Sequence, residues 1–145
     1  EDFRKVIDIN LGGTFLCCRA VARLMKPARF GSVVNVGSTL GATGLAERSA
    51  YCSTKGGVLA MTRSLAKEWA PHGVRCNALC PGPFLTELNE SIAKDEAKVR
   101  VILDRVPMNR WAELHEIQGA ALFLASDASS YVTGSALYVD GGWTC

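Results

Sequence analysis

Tyr51 and Lys55 stand four residues apart in the stretch Tyr51-Cys52-Ser53-Thr54-Lys55. On a helix that spacing puts both side chains on one face. Ser38 lies thirteen residues before Tyr51, just past the run Val33 to Val36. That run reads as a buried strand. Strand ends beside helix starts are where α/β proteins place their reactive groups. A serine hydroxyl, a phenol and an ammonium meeting there can polarise a carbonyl and pass it a proton. A free phenol, with a pKa of about 10, is a poor base near neutral pH, and a neighbouring ammonium favours the phenolate. The pair alone has a plain alternative: a solvent-facing Tyr–Lys pair on an amphipathic helix.

The elements that must position these groups follow from periodicity. Phe3, Val6, Ile7, Leu11, Phe15, Val21, Leu24 and Met25 recur at helical spacing, so residues 2–26 read as a helix. Asn10-Leu11-Gly12-Gly13 interrupts it. The glycines signal either close packing against a neighbour or a local bend that frees backbone groups near Asn10. Lys26-Pro27 is the expected helix end. Residues 32–36 form the first strand, apolar without clean alternation, as in a parallel strand covered on both faces. Residues 39–49 form a small-residue loop over its C-terminal end, and residues 50–70 a second long helix, closed by Pro71-His72-Gly73.

Residues 74–80 are the second strand, which Pro81 terminates. The segment 83–112 is irregular, with one or two helices over 87–103. It reads either as a solvated excursion or as a substrate lid. A helix over 115–125 and a strand over 135–139 complete the chain. Strands alternating with helices imply a doubly wound, Rossmann-like α/β fold with a parallel sheet. Here three strands are expected, in chain order, as the C-terminal half of such a sheet.

Composition sets the outer limits. The 145 residues suit one domain with one core, and 48% hydrophobic against 21% charged residues is ordinary for a globular protein. A net charge of +2 without a basic run gives no support to nucleic acid or an anionic membrane as partner. No apolar stretch has membrane-span length, and Glu1-Asp2-Phe3-Arg4 reads as a helix start rather than a leader. Cys17, Cys18, Cys76 and Cys80 lie in apolar segments, where free thiols act as small hydrophobes. No Cys-x-x-Cys occurs, so neither a zinc site nor any other metal is expected, and a reducing, cytoplasmic setting fits best.

Four features in order, namely Asn10, Ser38, Tyr51 with Lys55, and Pro81-Gly82-Pro83-Phe84-Leu85-Thr86, resemble the short-chain dehydrogenase/reductase family. The resemblance runs from Asp2 to Asp140-Gly141-Gly142-Trp143. It implies an oxidoreductase that moves a hydride between NAD or NADP and a secondary alcohol or ketone. Tyr51 is then the acid/base, and Ser38 the hydroxyl on the reacting oxygen. Lys55 supports Tyr51 and contacts the nicotinamide ribose. Asn10 is the helix-bend residue whose backbone holds a water leading from Lys55 to solvent. Pro81, Gly82, Phe84 and Thr86 correspond to the nicotinamide loop, with Gly82 allowing close approach to the ring and the Phe84 backbone and Thr86 hydroxyl binding the carboxamide. Without that context Pro81-Gly82-Pro83 would be a plain turn. The resemblance also implies a homodimer or homotetramer, built through the helices bearing Asn10 and Tyr51 and through the last strand. The stretches 136–143 and 109–117 look most like 3-oxoacyl-carrier-protein reductases and sugar-acid dehydrogenases.

No Gly-x-x-x-Gly-x-Gly, Gly-x-Gly-x-x-Gly or Asn-Asn-Ala-Gly occurs in the 145 residues. The pyrophosphate-binding strand–turn–helix is therefore expected outside them, and the chain alone is expected to be inactive. The rival reading is a non-catalytic oligomerisation module descended from such an enzyme.

Overall fold

The computed structural model describes residues 2–145. Asp2 caps the first helix by accepting from Lys5 N at 3.3 Å. Helix α1 (Phe3–Ile7) leads without a break through a π-helical turn, Asp8–Gly12, into α2 (Gly13–Ala28). The glycine pair thus accompanies a widened turn in a continuous helix. A Cβ on Gly13 would meet nothing within 4 Å, so close packing does not explain that glycine. The helix also outruns the expected stop. Pro27 is accepted in the last turn, and the chain leaves at Arg29, whose left-handed backbone (φ 53°) lets its N–H reach Lys26 O and Met25 O.

Strands β1 (Gly31–Val36), β2 (Val74–Pro81) and β3 (Ala136–Val139) form a parallel sheet in the order β1-β2-β3. Gly31 pairs with Val74 and Val36 with Leu79; Ala78 pairs with Ala136 and Pro81 with Val139. The expected parallel sheet in chain order is what the chain forms, and Pro81 closes β2 as its last residue. Between β1 and β2 runs α3 (Ser49–Trp69).

Helices lie on both faces, as a doubly wound sheet requires. On one face Cys18 of α2 and Ala66 and Trp69 of α3 pack with Val74 and Cys76, and Leu59 packs with Ala78 and Cys80. A buried polar chain stitches these layers. Cys18 Sγ donates to Asn35 Oδ1 at 3.2 Å, and Asn35 Nδ2 donates to Thr62 Oγ1 at 3.0 Å. On the other face lies α6 (Gln118–Ala125), whose Leu124 is fully buried. There Arg75 donates to the carbonyls of Leu124, Ser126 and Val132, fixing the turn that leads to β3. The start of α6 differs from the reading over 115–125. A 3-10 turn, Leu114–Ile117, precedes it, held by a reciprocal capping box between Glu113 and Glu116.

The segment after β2 folds into two short helices, α4 (Glu90–Ala93) and α5 (Glu96–Leu103). Its neck is a parallel bridge between Phe84 and Ala112, with Leu85 N donating to Ala112 O at 2.9 Å. Val106, buried, and Met108 N, which donates to Gly141 O at 3.1 Å, return the chain to the end of β3.

Candidate active site

The C-terminal ends of the three strands and the first turns of α3 enclose the candidate residues. Gly37 N extends the β1–β2 ladder by donating to Leu79 O at 2.7 Å. Ser38 follows in an extended conformation and caps a 3-10 turn, Thr39–Gly41, with its Oγ accepting from Leu40 N at 3.1 Å. Its side chain is therefore fixed in orientation. Among the described contacts the hydroxyl hydrogen has no acceptor, which leaves it available to an oxygen arriving from outside.

Lys55 is set from the helix side. Its Nζ donates to Val36 O at 2.9 Å and lies 5.6 Å from the centroid of the Tyr51 ring. One ammonium thus touches the strand end two residues before Ser38 and the ring of the phenol four residues before itself. Burial pulls the Lys55 pKa below its ordinary value.

Asn10 joins the site through an intermediary. Its Nδ2 donates to Thr54 Oγ1 at 3.5 Å, and Thr54 Oγ1 donates to Tyr51 O at 2.7 Å. Thr54 is fully buried. The Asn10 carbonyl, in the π-helical turn, accepts Thr14 Oγ1 at 2.6 Å.

The residues after β2 sit beside this cluster. Val36 pairs with Leu79, and Ser38 and Pro81 each lie two residues beyond that pair on adjacent strands. Gly82 N donates to Val139 O at 2.9 Å, and a Cβ on Gly82 would come 2.6 Å from Asp140 Cα. The close approach at Gly82 is therefore to the chain's own backbone after β3, a packing reason that the sequence reading lacked. Phe84 is buried, and its carbonyl accepts Asn89 Nδ2 at 2.9 Å. Thr86 is half-buried; its carbonyl accepts Asn89 N at 2.8 Å, and its hydroxyl has no partner among the described contacts.

Sequence reasoning missed two participants: the Val36 carbonyl and Thr54. Thr54 sits inside the Tyr51–Lys55 interval, so its place on α3 was readable, but its partner 44 residues away was not. It also missed a junction at the rim. Trp143 Nε1 donates to Thr43 Oγ1 at 3.3 Å, the Arg105 guanidinium lies 5.8 Å from the Trp143 ring, and Arg105 reaches Gly44 O at 3.5 Å. The loop after Ser38, the end of the α4–α5 segment and the tail after β3 meet there.

The family model described as enoyl-(acyl carrier protein) reductase matches residues 1–144. The 2-dehydro-3-deoxy-D-gluconate 5-dehydrogenase of Dickeya dadantii is 38% identical over 144 residues, which cover 99% of this chain and 57% of that protein. The galactitol 2-dehydrogenase (L-tagatose-forming) of Cereibacter sphaeroides is 44% identical, over 98% of this chain and 57% of that protein. A crystal structure of a gluconate 5-dehydrogenase from Burkholderia cenocepacia, in complex with NADP and tartrate, superposes with a TM-score of 0.95 at 38% identity, over 99% of this chain and 56% of that one. The chain spans little more than half the length of these relatives.

Proposed function

The chain belongs to the short-chain dehydrogenase/reductase family, and on that premise we propose that it carries the proton-transfer site of an oxidoreductase acting on a secondary alcohol or ketone. The observation that carries the reading is the double contact of Lys55, with the Val36 carbonyl and the Tyr51 ring, beside a Ser38 hydroxyl whose hydrogen is uncommitted.

In the reductive direction Ser38 Oγ–H donates to the substrate carbonyl oxygen and stabilises the charge growing there. Tyr51 passes its phenolic proton to the same oxygen, and the Lys55 ammonium stabilises the phenolate left behind. In the oxidative direction these transfers reverse. Asn10 anchors the far end of the site through Thr54 to the first turn of α3, and its backbone would hold the water that links Lys55 to solvent in this scheme. NAD or NADP, when bound, supplies or accepts the hydride. The residues here fit its nicotinamide end: Lys55 is a donor for the ribose hydroxyls, and the Thr86 hydroxyl, uncommitted beside the end of β2, is a donor for the carboxamide, with Pro81, Gly82 and Phe84 shaping that loop. The segment over α4 and α5 acts as the substrate lid.

Relatives named for sugar acids and polyols point to a polyhydroxylated substrate class, with 3-oxoacyl thioesters as the competitor. A homodimer or homotetramer is proposed from exposed Phe15 and Leu16 on α2 and Leu122 and Phe123 on α6. A cytoplasmic, reducing setting accords with six free cysteines, and no helix among the described residues is long and apolar enough to cross a membrane. The second reading, an oligomerisation module without catalysis, draws on the same apolar faces and on the lack of a glycine-rich turn in these residues.

Replacing Tyr51 with Phe decides between the two. The ring stays and the proton is lost, so turnover in the complete, cofactor-competent protein should fall about 10²-fold or more. Turnover within a few-fold of the unsubstituted protein would refute Tyr51 as the acid/base. Turnover by residues 1–145 alone would refute the expectation that this part is inactive by itself.

A further inference from the structure

We infer that Cys80 is a positioning residue for Ser38, an inference that rests on the role proposed for that serine. Cys80 is the last residue of β2 before Pro81 and is fully buried. Its side chain points to the α3 face, among Leu59, Ala78, Ala136 and Tyr138. The sulfur also bears on the backbone of the neighbouring strand end. A Cβ placed on Gly37 would fall 2.6 Å from Cys80 Sγ, so the sulfur fills the space where a side chain would be. The Ser38 backbone lies beside the same sulfur, and the Lys55 ammonium and the Asp140 carboxylate are its charged neighbours. Burial pushes the thiol up, beyond what the Ser38 backbone and Lys55 recover, so the group stays a neutral S–H at physiological pH.

The consequence is geometric. Ser38 lies one residue past the last bond of the β1–β2 ladder, Gly37 N to Leu79 O. Gly37 has no side chain with which to hold itself. The sulfur of Cys80 is therefore what supports the Gly37–Ser38 peptide from below, while Leu40 N holds Ser38 Oγ from above. A shift of that peptide moves the serine hydroxyl relative to Tyr51, and displacements near an ångström in such sites alter rates by up to about 100-fold. Cys80 touches neither substrate nor cofactor in this scheme; it acts through Ser38.

The test compares Cys80→Ala with Cys80→Ser in the complete, cofactor-competent protein. Both shorten the side chain, but only serine keeps a γ atom against the Gly37–Ser38 peptide. The alanine variant should lose roughly tenfold or more in kcat, with the dinucleotide KM within about twofold, and the serine variant should recover most of the loss at a similar thermal midpoint. A kcat for Cys80→Ala within twofold of the unsubstituted protein overturns the inference, as do equal losses in both variants. Should neither variant fold, amide hydrogen exchange on the unsubstituted protein decides: a protected Ser38 N–H supports the support role, and exchange at the rate of an open loop overturns it. Ser38→Ala separates this from the wider reading. If it keeps full turnover, the site assignment fails; if it loses turnover while Cys80→Ala does not, only the role of Cys80 fails.

Discussion

Lys55 Nζ donates to the main-chain carbonyl of Val36 at 2.9 Å, across nineteen residues of chain. A helix cation is thereby fastened to the end of the first strand, two residues before Ser38. The same nitrogen lies over the Tyr51 ring, so three parts of the site share one tether.

That tether has a cost that pH exposes. Burial lowers the Lys55 pKa in the folded protein relative to the unfolded chain. Between the lowered value and the ordinary lysine value of about 10.4, the unfolded chain holds more protons at this site, so stability from it rises with pH. Below that window the folded state carries the desolvation penalty. Lys55→Met should remove this alkaline rise. Urea titrations at a series of pH values above neutrality check it, and an unchanged slope would count against the buried-cation account.

The opposite sign applies to Glu116. Its carboxylate pairs with Arg110 at 2.6 Å and accepts Glu113 N, which hold its pKa down at about 2. The folded value lies below the unfolded one, near 4.3, so the contribution is complete above that value and disappears as pH falls towards 2. Solvent screens the pair, and the effect should shrink further in salt. Glu116→Gln should flatten the acid limb of the stability curve over that window. An acid limb identical to that of the unsubstituted protein would dismiss the pair.

Gly82→Ala should destabilise the fold by about 1–3 kcal/mol, because the new methyl meets the backbone of Asp140 rather than a flexible side-chain tip. Since the residues after β3 are what it displaces, the Thr43–Trp143 contact should loosen as well. Thermal unfolding measures the first effect and Trp143 fluorescence the second. A variant as stable as the parent would mean that the tail yields at no expense.

Among the described residues the first strand pairs only with β2, and Val36 at its end is 59% exposed. Unpaired strand edges recruit other chains. Residues 1–145 alone should therefore self-associate as concentration rises, and Val36→Lys should reduce it. Sedimentation velocity showing a clean monomer across the concentration range would contradict this.

The order of elements was legible because parallel strands here are short apolar runs and the long helices repeat their apolar positions. The Tyr51–Lys55 pair was legible because four residues on a helix define one face. Other features lack such a signal. Asn35, Thr54, Thr62 and Asn77 are polar yet buried, each satisfied by partners distant in sequence, so polarity alone misplaces them. Pro27 looked like a stop because proline lacks an N–H, but the last turn tolerates it and Arg29 supplies the exit instead. The tight packing of Gly82 on the backbone after β3 likewise had no signal in the sequence.

The π-helical turn at Asp8–Gly12 acts as a phase shift in an otherwise regular screw. Such turns amount to one extra residue within a helix, and one residue is a rotation of about 100°. The stripe read along α1 and the stripe read along α2 therefore belong to two different frames of the same rod. Removing one residue between positions 8 and 12 would merge the frames and let the helix run as plain α. It would also swing Asn10 away from Thr54, so an edit that makes the helix more regular would uncouple it from its neighbour.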